Sequence, residues 1–261
     1  MSARWLEDGA WIALALLIAA FLLFPLVLVV LFSFNQSALA TLPLTGFTFD
    51  WYRRLFADAS FWPALSNSVI VGVAVCLASL VTGTTAALAL ARLEPGRATR
   101  ILHLLSLPMM LPALVLAIAL LSFFVRALGA RLGLTTVILG QLALVQPFVI
   151  AIIYARLQTF DWAMVDSARD LGATPLRAFF TVTLPVIRQT VVGAALIALA
   201  VSLDDFVITF FTIGTGNTLP TLVWGYVRTT LDPTINAMAT LLIVSSIGST
   251  VLALWLSRYR G

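Results

Sequence analysis

Two adjacent carboxylates, Asp204 and Asp205, interrupt an apolar stretch in the second half of the chain. Ionisable side chains are costly at membrane depth and usually face the interior of a helix bundle or a watery cavity. Counted from Val191, the pair lies about 20 Å along a helix that rises about 1.5 Å per residue. It therefore predicts an anionic lining for the path of a cation, although adjacent helical positions point about 100° apart and cannot face it equally. The alternative is a structural pair, hydrogen-bonded to Thr, Ser or Arg of neighbouring helices.

A long polar segment runs from Asp161 to Pro185 and has the sequence DWAMVDSARDLGATPLRAFFTVTLP. Asp161 is suited to cap a first helix through its side-chain oxygen, and Gly172 suits the left-handed position that ends one. Thr174 and Pro175 then supply an N-cap and a first helical residue. Leu184-Pro185 is expected to break the second helix before the next apolar segment. These signals predict two short helices joined by a tight turn.

Val165, Ala168 and Leu171 recur at helical spacing within this polar segment and predict one small apolar face. An apolar helical face outside the membrane is typical of a helix that docks into a groove of a partner. The alternative is a structured loop without a partner. Charged residues of the same helix are expected to point away from the apolar face, namely Asp166, Arg169 and Asp170.

Residues suited to catalysis or metal binding are few. His103 is the single histidine, no Cys/His cluster predicts a metal site, and no Ser/His/Asp arrangement predicts a hydrolase. Cys76 is the single cysteine, which excludes a disulfide within the chain. No G-x-x-x-x-G-K-[ST] phosphate loop occurs, so the chain is expected to bind no cofactor and to leave ATP hydrolysis to another subunit. A membrane-embedded enzyme would have the Asp204–Asp205 pair alone for its chemistry.

Composition places these residues in a membrane protein. The chain has 261 residues, of which 61% are hydrophobic and 10% are charged, and its mean hydropathy is +1.08. Soluble domains contain about 25% charged residues. All fifteen basic residues are Arg, but they are scattered between apolar runs and the net charge is +4, so a nucleic-acid surface is not expected.

Six apolar segments are long enough to cross a bilayer as helices, which predicts an all-α bundle forming a single domain over 1–261. The first is too long for a signal-peptide core and is expected to be retained. The fourth segment contains Gln141, Gln146 and Pro147, which are expected either to line a path or to join helices. The third segment contains Pro108 and Pro112, which are expected to mark a break or bend. The segments span about 11–34, 65–91, 102–125, 134–157, 190–213 and 236–257.

The distribution of Arg residues predicts the orientation of these helices. Six crossings place both termini on one side, and cytoplasmic loops of membrane proteins carry an excess of basic residues. With cytoplasmic termini, ten Arg residues lie inside and five lie outside, so both termini and a polar loop over 158–189 are predicted to be cytoplasmic. The five outer residues are Arg53, Arg54, Arg126, Arg131 and Arg228.

The polar loop resembles the EAA loop of permease subunits in bacterial binding-protein-dependent ABC importers. That loop has Glu-Ala-Ala, three residues, Gly, nine residues, Ile, one residue and Leu-Pro. This chain keeps every spacing, the second Ala, the Gly and the Leu-Pro, and it has Asp, Ser and Val in place of Glu, the first Ala and Ile. The resemblance implies that the residues contacting an ATPase subunit are Asp166, Ser167, Ala168, Arg169, Asp170, Gly172, Leu184 and Pro185.

Further matches resemble the spermidine/putrescine branch of that family and cover nearly the whole chain. They are Ser33-Phe34-Asn35, Trp51-Tyr52, Asn67-Ser68, Asp170-Leu171-Gly172-Ala173, Ser202-Leu203-Asp204-Asp205-Phe206 and Asn236-Ala237-Met238-Ala239-Thr240.

The resemblance implies a MetI-like permease fold in the bacterial inner membrane, with the polar loop as the coupling helix. It implies one half of a translocation pathway for a polyamine or related amine, with Asp204 and Asp205 on that pathway. The expected partners are a second permease subunit in a heterodimer, two cytoplasmic ATPase subunits that use ATP and Mg, an extracytoplasmic binding protein and membrane lipid.

Two alternatives remain open. One is an importer of the same class that carries an amino-acid-like or other organic nitrogen solute. The other is a self-sufficient secondary transporter, which would need internal repeats and a coupling-ion site at broken helices.

Overall fold

The structure is a computed structural model that describes residues 2–38, 41–229 and 232–258. Within those ranges the elements are helices, and strand-like pairing is limited to one antiparallel bridge between Asn35 and Phe47. The predicted all-α class is therefore confirmed. The chain forms two compact units, the first made of Met1–Trp62 and Leu222–Ser245, and the second of Pro63–Thr221 and Ser246–Gly261. A single permease domain over 1–261 stays a prediction.

The helices alternate between long apolar ones and short connecting ones, and two of them continue into a π-helical turn. In chain order they are α1 (Ser2–Ser33), α2 (Asp50–Ala57), α3 (Phe61–Ala91), α4 (Pro95–Leu105), α5 (Leu107–Met110), α6 (Ala113–Ser122, followed by the π-helical Phe123–Ala127), α7 (Leu134–Gln158), α8 (Ala163–Asp170), α9 (Pro175–Ala178, followed by the π-helical Phe179–Thr183), α10 (Leu184–Asp204), α11 (Val207–Thr212), α12 (Leu219–Thr229) and α13 (Thr234–Arg258).

Four helices among the described residues are long and apolar enough to cross a membrane. Two shorter apolar helices correspond to the third and sixth segments expected from the sequence. The number of crossings stays a prediction, although each expected segment coincides with an apolar helix. The four long spans are Gly9–Ser33, Phe61–Ala91, Leu134–Gln158 and Pro175–Asp204, and the shorter helices are Ala113–Ala127 and Thr234–Gly248.

Two of the expected segments are not continuous helices. The third is divided around Pro108 and Pro112 into α4, α5 and α6, as the prolines predict. The fifth, expected over 190–213, ends as α10 at Asp204 and resumes as α11 at Val207. That expectation was wrong because Asp205 takes an extended conformation and caps a new helix.

The first unit is held at its loops by polar side chains. Trp51 Nε1 donates a hydrogen bond of 2.7 Å to the carbonyl oxygen of the buried Asn35. The hydroxyl of Tyr226 on α12 donates to the Asp58 carboxylate. This hydrogen bond raises the pKa of Tyr226 to about 12 and lowers the pKa of Asp58. The hydrogen bond ties α12 to the end of α2.

The core of the second unit lies between α3, α7 and α10. In this core α10 packs along α7, and α11 packs against both α6 and α7. Most of the buried side chains are small or β-branched, which lets the helices approach closely, as expected for helix packing in a membrane. They include Val71, Val75 and Ala87 of α3, Val145, Val149 and Ile153 of α7, and Ala194 and Ala198 of α10.

Candidate functional site

The first short helix of the polar loop, α8, is fixed from both sides. At its start, Asp161 Oδ1 accepts a hydrogen bond of 3.0 Å from the backbone N–H of Ala163. The N-cap position itself is Trp162, one residue later than predicted, and it has no side-chain cap bond. The preceding Trp162 packs edge-on against Phe160. Val165 is 5% exposed and belongs to the core of the second unit. The polar loop therefore packs against the helices of the second unit through Val165.

The turn between α8 and α9 confirms the predicted role of Gly172. Its φ is +89°, in the left-handed region that other residues adopt with strain. The N–H of Gly172 donates to the carbonyl of Arg169 at 2.9 Å, and the N–H of Ala173 donates to that of Ala168 at 3.0 Å. These two bonds are those of a Schellman motif, which satisfies the last carbonyls of a helix. Thr174 then caps α9 by accepting from the backbone N–H of Arg177.

The predicted apolar face is split in the structure. Val165 and Ala168 pack against the core of their own unit, so they do not present a stripe to a partner. Leu171, expected on the same face, is 91% exposed because it lies past the last helical residue. Leu176 on α9 is 72% exposed and was not singled out from the sequence. Its position directly after the helix-starting Thr174-Pro175 pair is the signal that identifies it.

The expected break at Leu184-Pro185 is wrong. The helix that begins at Pro175 continues to Asp204, and Pro185 lies in the first turn of α10. Proline is tolerated in a first turn because that N–H needs no helical partner. The π-helical turn Phe179–Thr183 immediately precedes it, so the hydrogen-bond ladder is reset without ending the helix.

The resemblance implies eight residues in contact with an ATPase subunit, and the structure brings only some of them together. Asp166, Arg169, Asp170 and Gly172 line one depression of about 520 Å³ at the turn. Ser167 is exposed on the same helix, and Ala168 is half-buried. Two members lie elsewhere, on α10: Leu184 is half-buried and Pro185 is exposed.

Asp205 is built into the helix break as a structural carboxylate. Its Oδ2 accepts hydrogen bonds from the backbone N–H of Thr209 at 2.9 Å and from the Thr209 hydroxyl at 2.8 Å. Its Oδ1 accepts from the backbone N–H of Ile208 at 3.3 Å. These contacts satisfy the backbone N–H groups of the second and third residues of α11 from Asp205, which lies one residue before the N-cap position Phe206. Asp205 therefore fits the alternative of a carboxylate with a structural role, hydrogen-bonded to Thr209.

Asp204 has a different environment from its neighbour. It is the last residue of α10, and its side chain is exposed. Among the described residues, no hydrogen bond or ion pair involves its carboxylate. A carboxylate without a partner at the end of a membrane span is available to a mobile cation, and this distinguishes it from Asp205.

Gln141 joins α7 to both sides of the helix break. It is 1% exposed, and its Nε2 donates to the Thr209 hydroxyl at 2.8 Å and to the Ser202 carbonyl at 3.3 Å. The Ser202 hydroxyl donates to the Oε1 of Gln141. The interpretation that Gln141 joins helices is confirmed. Gln146, on the same helix, lines a separate cavity of about 380 Å³, and its Oε1 is buried without a partner among the described residues.

Replacing Gln141 with leucine is expected to lower the free energy of unfolding by about 2 kcal/mol, because the buried hydroxyls of Ser202 and Thr209 lose their shared partner. Gln146→Leu is a matched control on the same helix, since it removes a carbonyl that has no partner there, and is expected to change stability little. Thermal unfolding of the purified chain in detergent measures both variants. An equal loss of stability in the two would contradict the role given to Gln141.

Titratable residues form no metal site in the part of the chain that the structure describes. No group of three His, Cys, Asp or Glu side chains lies close enough to hold an ion. His103 is exposed near the end of α4. The geometry therefore offers a rigid exposed turn and a helix break with one unpaired carboxylate, both within the second unit.

The profile of the family described as "binding-protein-dependent transport system inner membrane component" matches residues 79–259. This stretch covers more than half of the chain and includes both the turn and the helix break. The chain belongs to this family. Binding-protein-dependent inner membrane components are transport subunits, so the predicted resemblance is confirmed, and so is a transport role rather than an enzymatic one.

Two relatives cover most of the chain. It is 35% identical over 251 residues to the putrescine transport system permease protein PotI of Escherichia coli (strain K12), covering 94% of this chain and 89% of that protein. It is 33% identical over 248 residues to the spermidine/putrescine transport system permease protein PotC of Haemophilus influenzae, covering 94% and 95%. These relatives place the chain among multi-pass membrane components of ABC importers.

Solved structures of ABC transporters share the fold. A chain of a bacterial alginate ABC transporter, crystallised with an alginate pentasaccharide-bound periplasmic protein, has a TM-score of 0.75 and 17% identity, covering 97% of this chain and 94% of that chain. A chain of the inward-facing MetNI methionine ABC transporter has a TM-score of 0.60 and 19% identity, covering 81% and 98%. At these identities the likeness concerns the fold alone, and it confirms the MetI-like membrane fold.

Proposed function

We propose that this chain is the permease subunit that forms half of the translocation pathway of an ATP-driven polyamine importer. The relatives named for putrescine and spermidine transport support an amine as the substrate. The observation that carries this substrate class in the chain itself is the exposed Asp204 carboxylate without a partner among the described residues. A polyamine carries several ammonium groups, and an unpaired carboxylate favours such a cation by direct charge attraction.

The helix break would place that carboxylate on the pathway. Asp205 and Gln141 hold the break in a fixed geometry through buried hydrogen bonds. The hydrogen bonds that Ile208 and Thr209 donate at the break are accepted by the carboxylate oxygens of Asp205. The carboxylate of Asp204, at the end of α10, therefore takes no part in them. We assign Asp204 to substrate contact and Asp205 to positioning the break.

The exposed turn between α8 and α9 would be the contact with the ATPase. Leu171 and Leu176 project from a turn that is anchored by Val165 and fixed by Gly172. Two exposed leucines on a rigid turn suit an apolar groove in a soluble partner. Two cytoplasmic ATPase subunits, using ATP and Mg, would then supply the energy.

The complete importer would contain a second, different permease subunit and an extracytoplasmic binding protein. The chain would lie in the bacterial inner membrane with both termini in the cytoplasm, as the Arg distribution favours. ATP-driven closure of the ATPase subunits would draw the turn between α8 and α9 toward the corresponding turn of the second permease subunit. This movement would open the pathway toward the binding protein. The released amine would then reach Asp204.

Reconstitution tests this proposal. In liposomes that hold the chain with its partner subunits, we expect putrescine uptake that requires internal ATP and is inhibited by excess spermidine. Uptake by the chain alone would instead indicate a secondary transporter. Uptake of a neutral amino acid in place of the amines would contradict the proposed substrate class.

A further inference from the structure

A large apolar groove lies beside the polar loop, within the second unit. It has a volume of about 690 Å³ and lies between the C-terminal half of α3 and the segment from Trp162 to Leu184. Its walls are formed mainly by apolar side chains, among them Leu80, Val81, Leu88, Leu176, Phe179 and Phe180. A concave apolar site of this volume lies within the range of about 300–1,000 Å³ that is typical of ligand pockets.

The position of the groove relative to the membrane follows from the helices that line it. Span Phe61–Ala91 ends at one end of the groove, and span Pro175–Asp204 begins there. The apolar walls therefore lie within the ends of two membrane spans. The mouth lies where those spans meet the level of the lipid headgroups.

Two arginines lie in the lining of this groove. Arg92 follows the last residue of α3, and its guanidinium stacks over the ring of Trp162 at 4.0 Å from the centroid. Arg169 on α8 also lines the groove. Stacking on an aromatic face leaves the N–H groups at the edge of a guanidinium free to bind an anion.

Carboxylates do not neutralise these two arginines. No Asp or Glu lines the groove, and neither guanidinium is in an ion pair among the described residues. Glu94, two residues after Arg92, pairs with Arg97 at 3.6 Å. Asp166 and Asp170 line the separate depression at the turn, which Arg169 also lines, but neither forms an ion pair with it among the described residues. The groove thus combines an apolar interior with a positively charged mouth at headgroup level.

We propose that this groove binds an anionic phospholipid. Its phosphate is held by Arg92 and Arg169, and one acyl chain lies between α3 and the helix that begins at Pro175. Basic pockets between membrane helices recognise anionic headgroups in this way. Because Arg92, Trp162 and Val165 connect the groove to α8, a bound lipid stiffens the turn that carries Leu171.

Native mass spectrometry of the chain, purified in detergent with its partner subunits, tests the proposal. Phosphatidylglycerol and phosphatidylcholine are added separately, and bound lipid is counted. We expect the anionic lipid to be retained more strongly, and Arg92→Gln to weaken its retention about fivefold, the effect of one basic residue at a membrane surface. Arg97→Gln is the matched control, because Arg97 faces Glu94 outside the groove, and it should retain lipid normally.

A second variant separates the acyl-chain contact from the charge. Val81 is 69% exposed and lines the groove, so Val81→Trp fills it without disturbing the core. We expect this change to reduce the retention of both lipids. Equal retention of the two lipids by the original chain, unchanged in Arg92→Gln, would overturn the proposal.

Cross-linking tests the competing occupant. With Cys76 replaced by serine, Val81→Cys is the single cysteine of the chain. A disulfide between that position and a cysteine scanned through the second permease subunit, formed in native membranes, would show that protein covers the groove and would overturn the lipid assignment. We expect no such cross-link.

Discussion

Replacing Gly172 with valine is expected to reduce ATP-dependent transport at least tenfold while the chain still inserts into the membrane. At φ +89° a β-branched residue is strained by about 1–3 kcal/mol, which is enough to open the turn. No atom lies within 4 Å of an added Cβ, so the backbone alone produces the effect. Opening the turn moves Leu171 and Leu176 away from the geometry in which they would engage the ATPase.

Transport and the amount of ATPase that co-purifies with the chain measure this effect. Gly172→Asn is the matched variant, because asparagine tolerates the left-handed conformation better than valine, and it should keep most of both activities. Gly96→Val adds the same side chain where nothing lies within 4 Å and the φ is not left-handed, so it should be silent. Normal transport and ATPase retention in Gly172→Val would contradict the coupling role of the turn.

The turn was predictable from sequence because its signals are local. The hydrogen bond at Asp161, the left-handed Gly172 and the helix start at Thr174-Pro175 each depend on neighbours within four residues. Local spacing gives the wrong position for Leu171, because its distance in sequence from Val165 predicts a shared helical face. The helix ends at Asp170, however, and the chain turns Leu171 outward.

Long-range packing decided what the sequence left open at Asp204 and Asp205. Both are carboxylates in the same apolar stretch, and helical spacing alone treats them as equivalent positions on one helix. Gln141, more than sixty residues earlier, and Thr209 supply the donors that select Asp205 as the cap. Pro185 could not be interpreted from local sequence alone. Whether it ends the helix depends on the preceding turn, and here the π-helical turn Phe179–Thr183 lets the helix continue.

Exchanging the two carboxylates one at a time is expected to give opposite results. Asp204→Asn should lower amine uptake by about tenfold or more, because a charge-assisted contact contributes about 1.5–3 kcal/mol, and should leave thermal stability unchanged. Asp205→Asn should lower thermal stability, because both carboxylate oxygens accept hydrogen bonds and the amide of asparagine places N–H groups against one set of these donors. Asp205→Ala removes the cap and leaves the Thr209 donors unpaired, and should cost about 2 kcal/mol of stability.

Uptake kinetics and thermal unfolding, measured on the same preparations, separate the two roles. For Asp204→Asn the loss should be larger for spermidine than for a monoamine, because the substrate with more charge depends more on the carboxylate. Asp204→Glu keeps the charge and should restore part of the uptake. Normal amine transport in Asp204→Asn would remove this residue from the pathway, whereas an unstable Asp204→Asn would show that its carboxylate, like that of Asp205, holds the helix break together.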